Sequence, residues 1–155
     1  MLPQTHFILG IIFVILLYFL FSPIISIFGL AIILLSSVLI DIDHYVYYIF
    51  KKKDLNLFTA HKWYIKNIRK LYSMNKEQKK KVYLGFYFFH GIESLIILFF
   101  LGFYLSPIFN LIFIGFLFHL FVDFISEIMF EHRFGKLSVI YDLFTFRKLT
   151  NLDTI

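Results

Sequence analysis

Long apolar runs without any charged side chain constrain this chain more than any other feature. Residues 7–21 and 24–40 are two such runs, and the pair Ser22-Pro23 separates them. A helix needs about 20 mainly apolar residues to cross the roughly 30 Å hydrocarbon core of a bilayer. The runs therefore predict membrane-spanning helices over about 6–22 and 24–40, joined by a short turn.

Two further apolar runs follow a polar stretch and predict spans over about 82–105 and 108–130. Composition agrees, because 60% of the 155 residues are hydrophobic and only 16% are charged, unlike an ordinary soluble domain. The chain is predicted to be all-α, a single transmembrane domain over 1–155 with four transmembrane helices. A signal peptide is the alternative for the first run, but no basic segment or small-residue cleavage site accompanies it.

The polar stretch 41–81 predicts how the chain is oriented. It carries eleven Lys and Arg residues, and short loops rich in such residues lie on the cytoplasmic side of the cell membrane. Four spans then place both termini, including the tail 131–155, in the cytoplasm.

Residues 55–68 within this loop mix aromatic and basic side chains. The pattern fits a surface helix on membrane lipids, with its bases against anionic headgroups. An ordinary cytoplasmic loop without a ligand is the alternative. Nucleic acid is not a predicted partner, because the aromatic content and the membrane tether favour lipid.

Ionisable side chains lie inside these apolar runs or at their ends. Such a group costs several kcal/mol in hydrocarbon, about 2.5–3.5 for Asp on insertion scales, and is retained where it pairs, binds an ion or lines a pathway. In the third and fourth spans they are three and four residues apart, so each pair shares one helix face. The residues are His6, Asp41, Asp43, His44, His90, Glu93, His119 and Asp123.

The depths of four of these residues are also predicted to match. If 82–105 and 108–130 are antiparallel helices, His90 lies level with Asp123, about 12 Å from the cytoplasmic helix ends. Glu93 then lies level with His119, at about 16 Å. A histidine and a carboxylate would meet at each depth, either as metal ligands or as two buried ion pairs.

Imidazole and carboxylate ligands together suit a divalent metal, zinc before manganese, magnesium or iron. The chain has no cysteine, which excludes a thiolate site. Paired ions would polarise an ester or phosphoester and lower the pKa of a bridging water, so we expect a hydrolase of lipid or membrane-linked substrates. The expected ligands are His6, Asp43, His44, His90, His119 and Asp123, with Glu93 and Asp41 as catalytic residues.

Two other classes of function fit the same residue types. A di-iron oxidase also places carboxylates and histidines in a four-helix core, usually with Glu-x-x-His pairs and more carboxylates. Visible absorption of the iron-loaded protein would identify it. A non-enzymatic bundle would use buried His–carboxylate pairs as a proton or ion relay or as structural contacts, and liposome flux without hydrolysis would identify that.

Four sequence segments carry a resemblance to a known family: Leu2-Pro3-Gln4-Thr5-His6, Asp41-Ile42-Asp43-His44, residues 89–94 and residues 115–123. Together they resemble the small prokaryotic membrane-bound, metal-dependent hydrolases of the inner membrane. That family is distantly similar to zinc-dependent phospholipase C and single-strand nucleases. The resemblance covers roughly residues 2–130 and implies a divalent-metal site on a helical scaffold. The implied positions are His6, Asp41, Asp43, His44, His90, His119 and Asp123. The chain departs from the family at Glu93, near which many members have a second histidine.

Overall fold

The computed structural model describes residues 3–22, 24–131 and 138–154. Leu2 and Pro23, named above, and the part of the predicted tail at 132–137 lie outside the described residues. Contacts group the chain into two compact units. The first unit comprises Met1–Asp41 and Ile92–Asp123, and the second comprises Ile42–Gly91 and Phe124–Ile155.

The described residues are mostly helical, which confirms the all-α prediction. A two-residue parallel pairing joins strands β1 (Val82–Tyr83) and β2 (Thr150–Asn151). A π-helical turn over Glu127–Glu131 follows the seventh helix, and a 3-10 turn over Leu152–Thr154 follows β2. The helices are α1 (Pro3–Phe21), α2 (Ile27–Leu39), α3 (Ile42–Lys52), α4 (Leu57–Ser73), α5 (Lys76–Lys79), α6 (Ile92–Tyr104), α7 (Ile108–Ser126) and α8 (Val139–Phe146).

Three helical segments are long and apolar enough to cross a membrane: Gln4–Phe21, Ile27–Lys52 and Ile108–Met129. They overlap the first, second and fourth predicted spans. The side chains near the ends of the first two segments also suit lipid, because Phe19 is 77% exposed and Ile27 is 78% exposed. Large exposed apolar patches are unfavourable in water and mark a membrane or binding surface.

The prediction of one continuous third span over 82–105 is wrong in its helix bounds. The helix there, α6, has 13 residues, which is about 20 Å and short of the bilayer core. Residues 82–83 pair instead with Thr150–Asn151, and the Phe89 N–H donates to the Asp43 carboxylate at 3.0 Å. Because these backbone groups have partners outside any helix, helical structure begins only at Ile92.

This shorter helix also removes the basis of the depth argument. His90 lies two residues before α6, and Glu93 lies in its first turn. The helical rise from residue 82, from which equal depths of His90 with Asp123 and of Glu93 with His119 were predicted, therefore does not apply.

The first unit is built on the contact between α1 and α2. Leu17, Leu30 and Ile33 form its buried apolar cluster, and the Phe13 and Phe118 rings stack with centroids 4.1 Å apart. Apolar residues surround α1 on all sides, as expected of a helix that does not face water.

The predicted surface helix of the basic loop is present as α4. Asn56 caps it, because its side chain accepts from the N–H groups of Phe58 and Thr59. The helix buries one face, formed by Ala60, Tyr64, Asn67, Ile68 and Leu71. Its place on a membrane stays a prediction.

The C-terminal segment of the second unit is held by Asp153. Its carboxylate accepts from the Lys52 ammonium at 2.6 Å and from the Trp63 indole N–H at 2.8 Å. Burial opposes ionisation of this group, but the hydrogen bonds from Lys52 and Trp63 outweigh it and lower the pKa of Asp153. The charged carboxylate therefore stabilises the contact between this segment and α3 and α4.

We expect this contact to weaken in acid. A lowered folded-state pKa gives stability that is fully present above the usual Asp value of 3.8 and is lost as the pH falls from there through the folded pKa. Trp63 is the chain's one tryptophan, so its emission should shift to the red over that pH range. The contact that is lost contributes about 1 kcal/mol to the free energy of unfolding. An Asp153→Asn variant should lack the transition. A transition of the same size in that variant would assign it to another carboxyl group.

Candidate metal centre

Buried histidines and aspartates form two groups, one in each unit. The first cluster consists of His6, Asp41, His119 and Asp123, and the second cluster consists of Asp43, His44 and His90. His90 and His119 are fully buried, and the other members expose at most a tenth of their side chains. Buried ionisable groups of this kind are stable only when they are paired or bind an ion.

The helices of the first unit bring the first cluster together. His6 lies in α1, Asp41 follows the end of α2, and His119 and Asp123 lie four residues apart on α7. Residues four apart on a helix share one face, which explains why α7 supplies both an imidazole and a carboxylate.

Short polar distances connect the members of the first cluster. His6 Nε2 lies 3.1 Å from Asp123 Oδ1. His119 Nε2 lies 3.6 Å from Asp41 Oδ1 and 3.7 Å from Asp123 Oδ2. The rings of His6 and His119 stack, with centroids 3.8 Å apart.

The protonation of His119 is fixed by the backbone of α2. Its Nδ1 lies 2.7 Å from the Ser37 carbonyl oxygen, and a carbonyl only accepts, so Nδ1 carries the proton. In the neutral ring Nε2 then presents a lone pair toward two carboxylates. That arrangement is repulsive unless a cation, either a proton or a metal ion, lies among these atoms.

The donor set of the first cluster fits a divalent metal. Ligand atoms of His6, Asp41 and His119 lie within 4.8 Å of one another. The distances of 3.6 and 3.7 Å from His119 Nε2 are slightly longer than the roughly 3.4 Å between neighbouring ligands of a tetrahedral site. Among the described residues, His6 Nδ1 is buried without a hydrogen-bond partner, so it is available as a ligand. The cluster can therefore hold a metal ion.

The second cluster is organised by the Asp43 carboxylate. Its Oδ1 lies 2.9 Å from His44 Nδ1, and its Oδ2 lies 2.9 Å from His90 Nδ1. Since an ionised carboxylate accepts only, both rings carry their proton on Nδ1 and present Nε2 as the lone-pair atom. A carboxylate that orients a histidine in this way is the usual partner of metal-binding imidazole.

Aromatic rings hold His44 in place. Tyr87 stacks on it with centroids 3.8 Å apart, and Tyr64 of α4 meets it edge-on at 5.0 Å. Neither tyrosine could be predicted from the sequence, because nothing in the local pattern distinguishes them from the other aromatic residues. The Phe89 N–H and the Ser37 carbonyl were missed for a related reason, since main-chain partners leave no signal in residue identity.

We expect Asp43→Asn to weaken metal binding about 10- to 100-fold. The amide offers one acceptor and one donor group, so one of the two Nδ1–H groups would lose its acceptor. Competition with a chromogenic chelator measures the affinity. Asp153→Asn is the control, because it removes an aspartate of the same unit that lies outside both clusters. Equal affinity of wild type and Asp43→Asn would contradict an orienting role for Asp43.

Glu93 is half-buried in the first turn of α6, and its predicted catalytic role stays a prediction. Two further acids of the second unit, Glu127 and Asp142, are buried to 3% and 4% exposure. Neither residue belongs to the expected site.

The comparisons with known proteins give no match. No family model, no curated protein and no solved structure matches the chain.

Proposed function

We propose that the protein is a membrane-embedded, metal-dependent hydrolase that cleaves an ester or phosphoester of a lipid or membrane-linked substrate. It would hold one or two divalent ions, zinc first among them. The proposal includes the predicted orientation, with both termini and the basic loop 41–81 in the cytoplasm, and the resemblance to prokaryotic membrane-bound hydrolases.

The observation that supports it most directly is the environment of His119. A protonated Nδ1 on a main-chain carbonyl and an Nε2 lone pair facing Asp41 and Asp123 are the features of an imidazole prepared to bind a metal.

The buried residues of the chain have three different roles in this proposal. His6, His119 and Asp123 hold the ion, Asp43 orients His44 and His90, and the Asp41 or Glu93 carboxylate accepts a proton. When bound, a divalent ion supplies Lewis acidity for the ester or phosphoester and acidifies a water ligand. The clusters lie in or beside apolar segments long enough to cross a bilayer, which favours substrates that reside in the membrane.

The test is hydrolysis by purified protein that has been washed with chelator and reloaded with zinc, manganese, magnesium or iron(II) separately. Chromogenic phosphodiesters, acyl esters and fluorescent phospholipids are the substrates. We expect turnover with at least one metal, its loss after chelation, and a loss of at least a hundredfold in Asp123→Asn. His61→Ala is the control, because His61 is exposed on α4. Turnover that survives both chelation and Asp123→Asn would refute the proposal.

A proton relay or structural bundle is the second candidate. The direct pairs His6–Asp123 at 3.1 Å and His90–Asp43 at 2.9 Å favour it, because such pairs carry protons or fix helix contacts without any metal. Proton flux in liposomes that is lost in Asp123→Asn, together with an absence of hydrolysis, would support this candidate.

A further inference from the structure

The turn between α3 and α4, residues 53–56, and the helix ends on either side of it expose a group of large apolar side chains. Phe50, Leu55, Leu57 and Phe58 are each 66–72% exposed, and all four lie within one stretch of nine residues. The second unit has a buried face on α4 that contains none of them. Apolar side chains grouped on a surface in this way mark a contact with lipid or with another molecule.

A basic surface continues from this turn along the outer face of α4. Lys62, Lys66 and Arg69 are exposed and follow Phe58 at spacings of four, eight and eleven residues, so they share one helix face. The Lys62 ammonium lies 4.3 Å from the centre of the Phe58 ring. Helix α4 contains no acidic residue, so nothing on the helix offsets this charge.

The one acid of the turn, Asp54, is directed to internal partners. Its carboxylate accepts from the hydroxyl groups of Tyr48 and Thr59, each at 2.5 Å, and from the Asn56 N–H at 2.9 Å. These hydrogen bonds, the one from Thr59 first, lower the pKa of Asp54. The carboxylate therefore stabilises the turn before α4, while Lys62, Lys66 and Arg69 are exposed at the surface.

A third observation places this surface at a membrane boundary. The apolar segment Ile27–Lys52, long enough to cross a bilayer, ends at the residue where the turn begins. A turn that follows directly on such a segment lies in the headgroup region, where exposed Phe and Leu side chains and flanking Lys residues are stable.

We propose that the α3–α4 turn and the outer face of α4 bind an anionic membrane surface. Phe50, Leu55, Leu57 and Phe58 enter the boundary between headgroups and acyl chains, and Lys62, Lys66 and Arg69 contact anionic headgroups. Lipid fits better than nucleic acid, because phosphate contacts alone leave the four apolar side chains in water. This inference does not depend on the proposed hydrolase activity.

Spin labelling tests the proposal directly, because the chain contains no cysteine. Phe58→Cys and, as the aqueous control, Glu77→Cys on α5 each receive one nitroxide label in the full-length protein. The probes are vesicles of phosphatidylcholine alone and of phosphatidylcholine with an equal amount of phosphatidylglycerol. We expect the label at 58 to collide more with oxygen than with a nickel chelate in the anionic vesicles, and the label at 77 to show the reverse.

Charge removal separates the basic contribution from the apolar one. The variant Lys62→Gln, Lys66→Gln, Arg69→Gln should shift the label at 58 toward water in anionic vesicles. The ratio of membrane-bound to aqueous label should fall by about fivefold per base removed at most. The matched control Lys76→Gln, Lys80→Gln, Lys81→Gln removes the same charge from exposed positions of the second unit. It should change the membrane binding of the label at 58 far less.

Three results would overturn the proposal. Equal nickel accessibility at 58 and 77 would place the turn in water. Shielding of the label at 58 from both reagents, or spin–spin broadening that grows with protein concentration, would show a protein contact. Insertion that is the same without phosphatidylglycerol and in both triple variants would remove the anionic headgroups as ligands.

Discussion

The His119→Ala, Asp123→Ala double variant is expected to retain no stoichiometric metal after a chelator wash and reloading, whereas the wild-type protein retains one ion or two. The variant loses the imidazole that the Ser37 carbonyl orients and the carboxylate that meets both His6 and His119. Two of the four donors of the first cluster are then absent, and loss of a single ligand already weakens most sites strongly. Elemental analysis of the detergent-purified proteins measures the difference.

Two controls make that result interpretable. His61→Ala removes an exposed histidine and should leave the metal content unchanged. Circular dichroism should show that the double variant keeps its helix content. Equal metal content in wild type and double variant would remove His119 and Asp123 from the site. The absence of metal from both would reject the hydrolase proposal and leave buried ion pairs as the better explanation.

Gly115→Ala is expected to destabilise the protein by several kcal/mol, although alanine normally favours a helix over glycine by about 1 kcal/mol. A Cβ at position 115 would overlap the Ser36 hydroxyl and lie only 2.5 Å from the Ile33 carbonyl oxygen. Backbone atoms of α2 cannot turn aside as a side chain can, so α7 and α2 must separate. Thermal unfolding in detergent measures the loss.

The same substitution should also reduce metal binding. Gly115 lies one helical turn before His119, and separation of α7 from α2 would lengthen the 2.7 Å contact between His119 and the Ser37 carbonyl. Gly29→Ala is the matched control, because its nearest neighbours are side-chain atoms at 3.1 Å or more. Adding Ser36→Ala should rescue Gly115→Ala only in part, since the Ile33 carbonyl remains. Equal stability of the two glycine variants would contradict the close approach of α7 and α2.

Much of the helical framework was predictable from the sequence. The apolar runs that became α1 and α2 are long and free of charge, and the run that became α7 carries a single acid, Asp123. Such runs have few folds other than membrane helices. The four-residue spacing of His119 and Asp123 placed them on one face of α7, and the structure brings both together with His6. Spacing on one continuous helix is local information, which is why these predictions could be made.

The third predicted span shows where local pattern fails. Residues 82–91 are apolar enough for a helix, yet their backbone bonds with Asp43 and with Thr150–Asn151, which lie far away in the chain. Hydrophobicity measures the preference for a nonpolar environment and does not encode which distant acceptor a backbone N–H will find. The anchoring of Asp153 by Lys52 and Trp63 was unpredictable for the same reason.

The hydrogen bond from His119 to the Ser37 carbonyl has a consequence for how such a site can change over time. The acceptor belongs to the peptide backbone, so no substitution at position 37 deletes it, and the imidazole keeps its orientation through most sequence drift. The carboxylates at 41 and 123 have no such protection, because one nucleotide change can convert Asp to Asn or His. Variation in ion preference among descendants of this chain should therefore concentrate at the two acidic positions, around a histidine that stays in place.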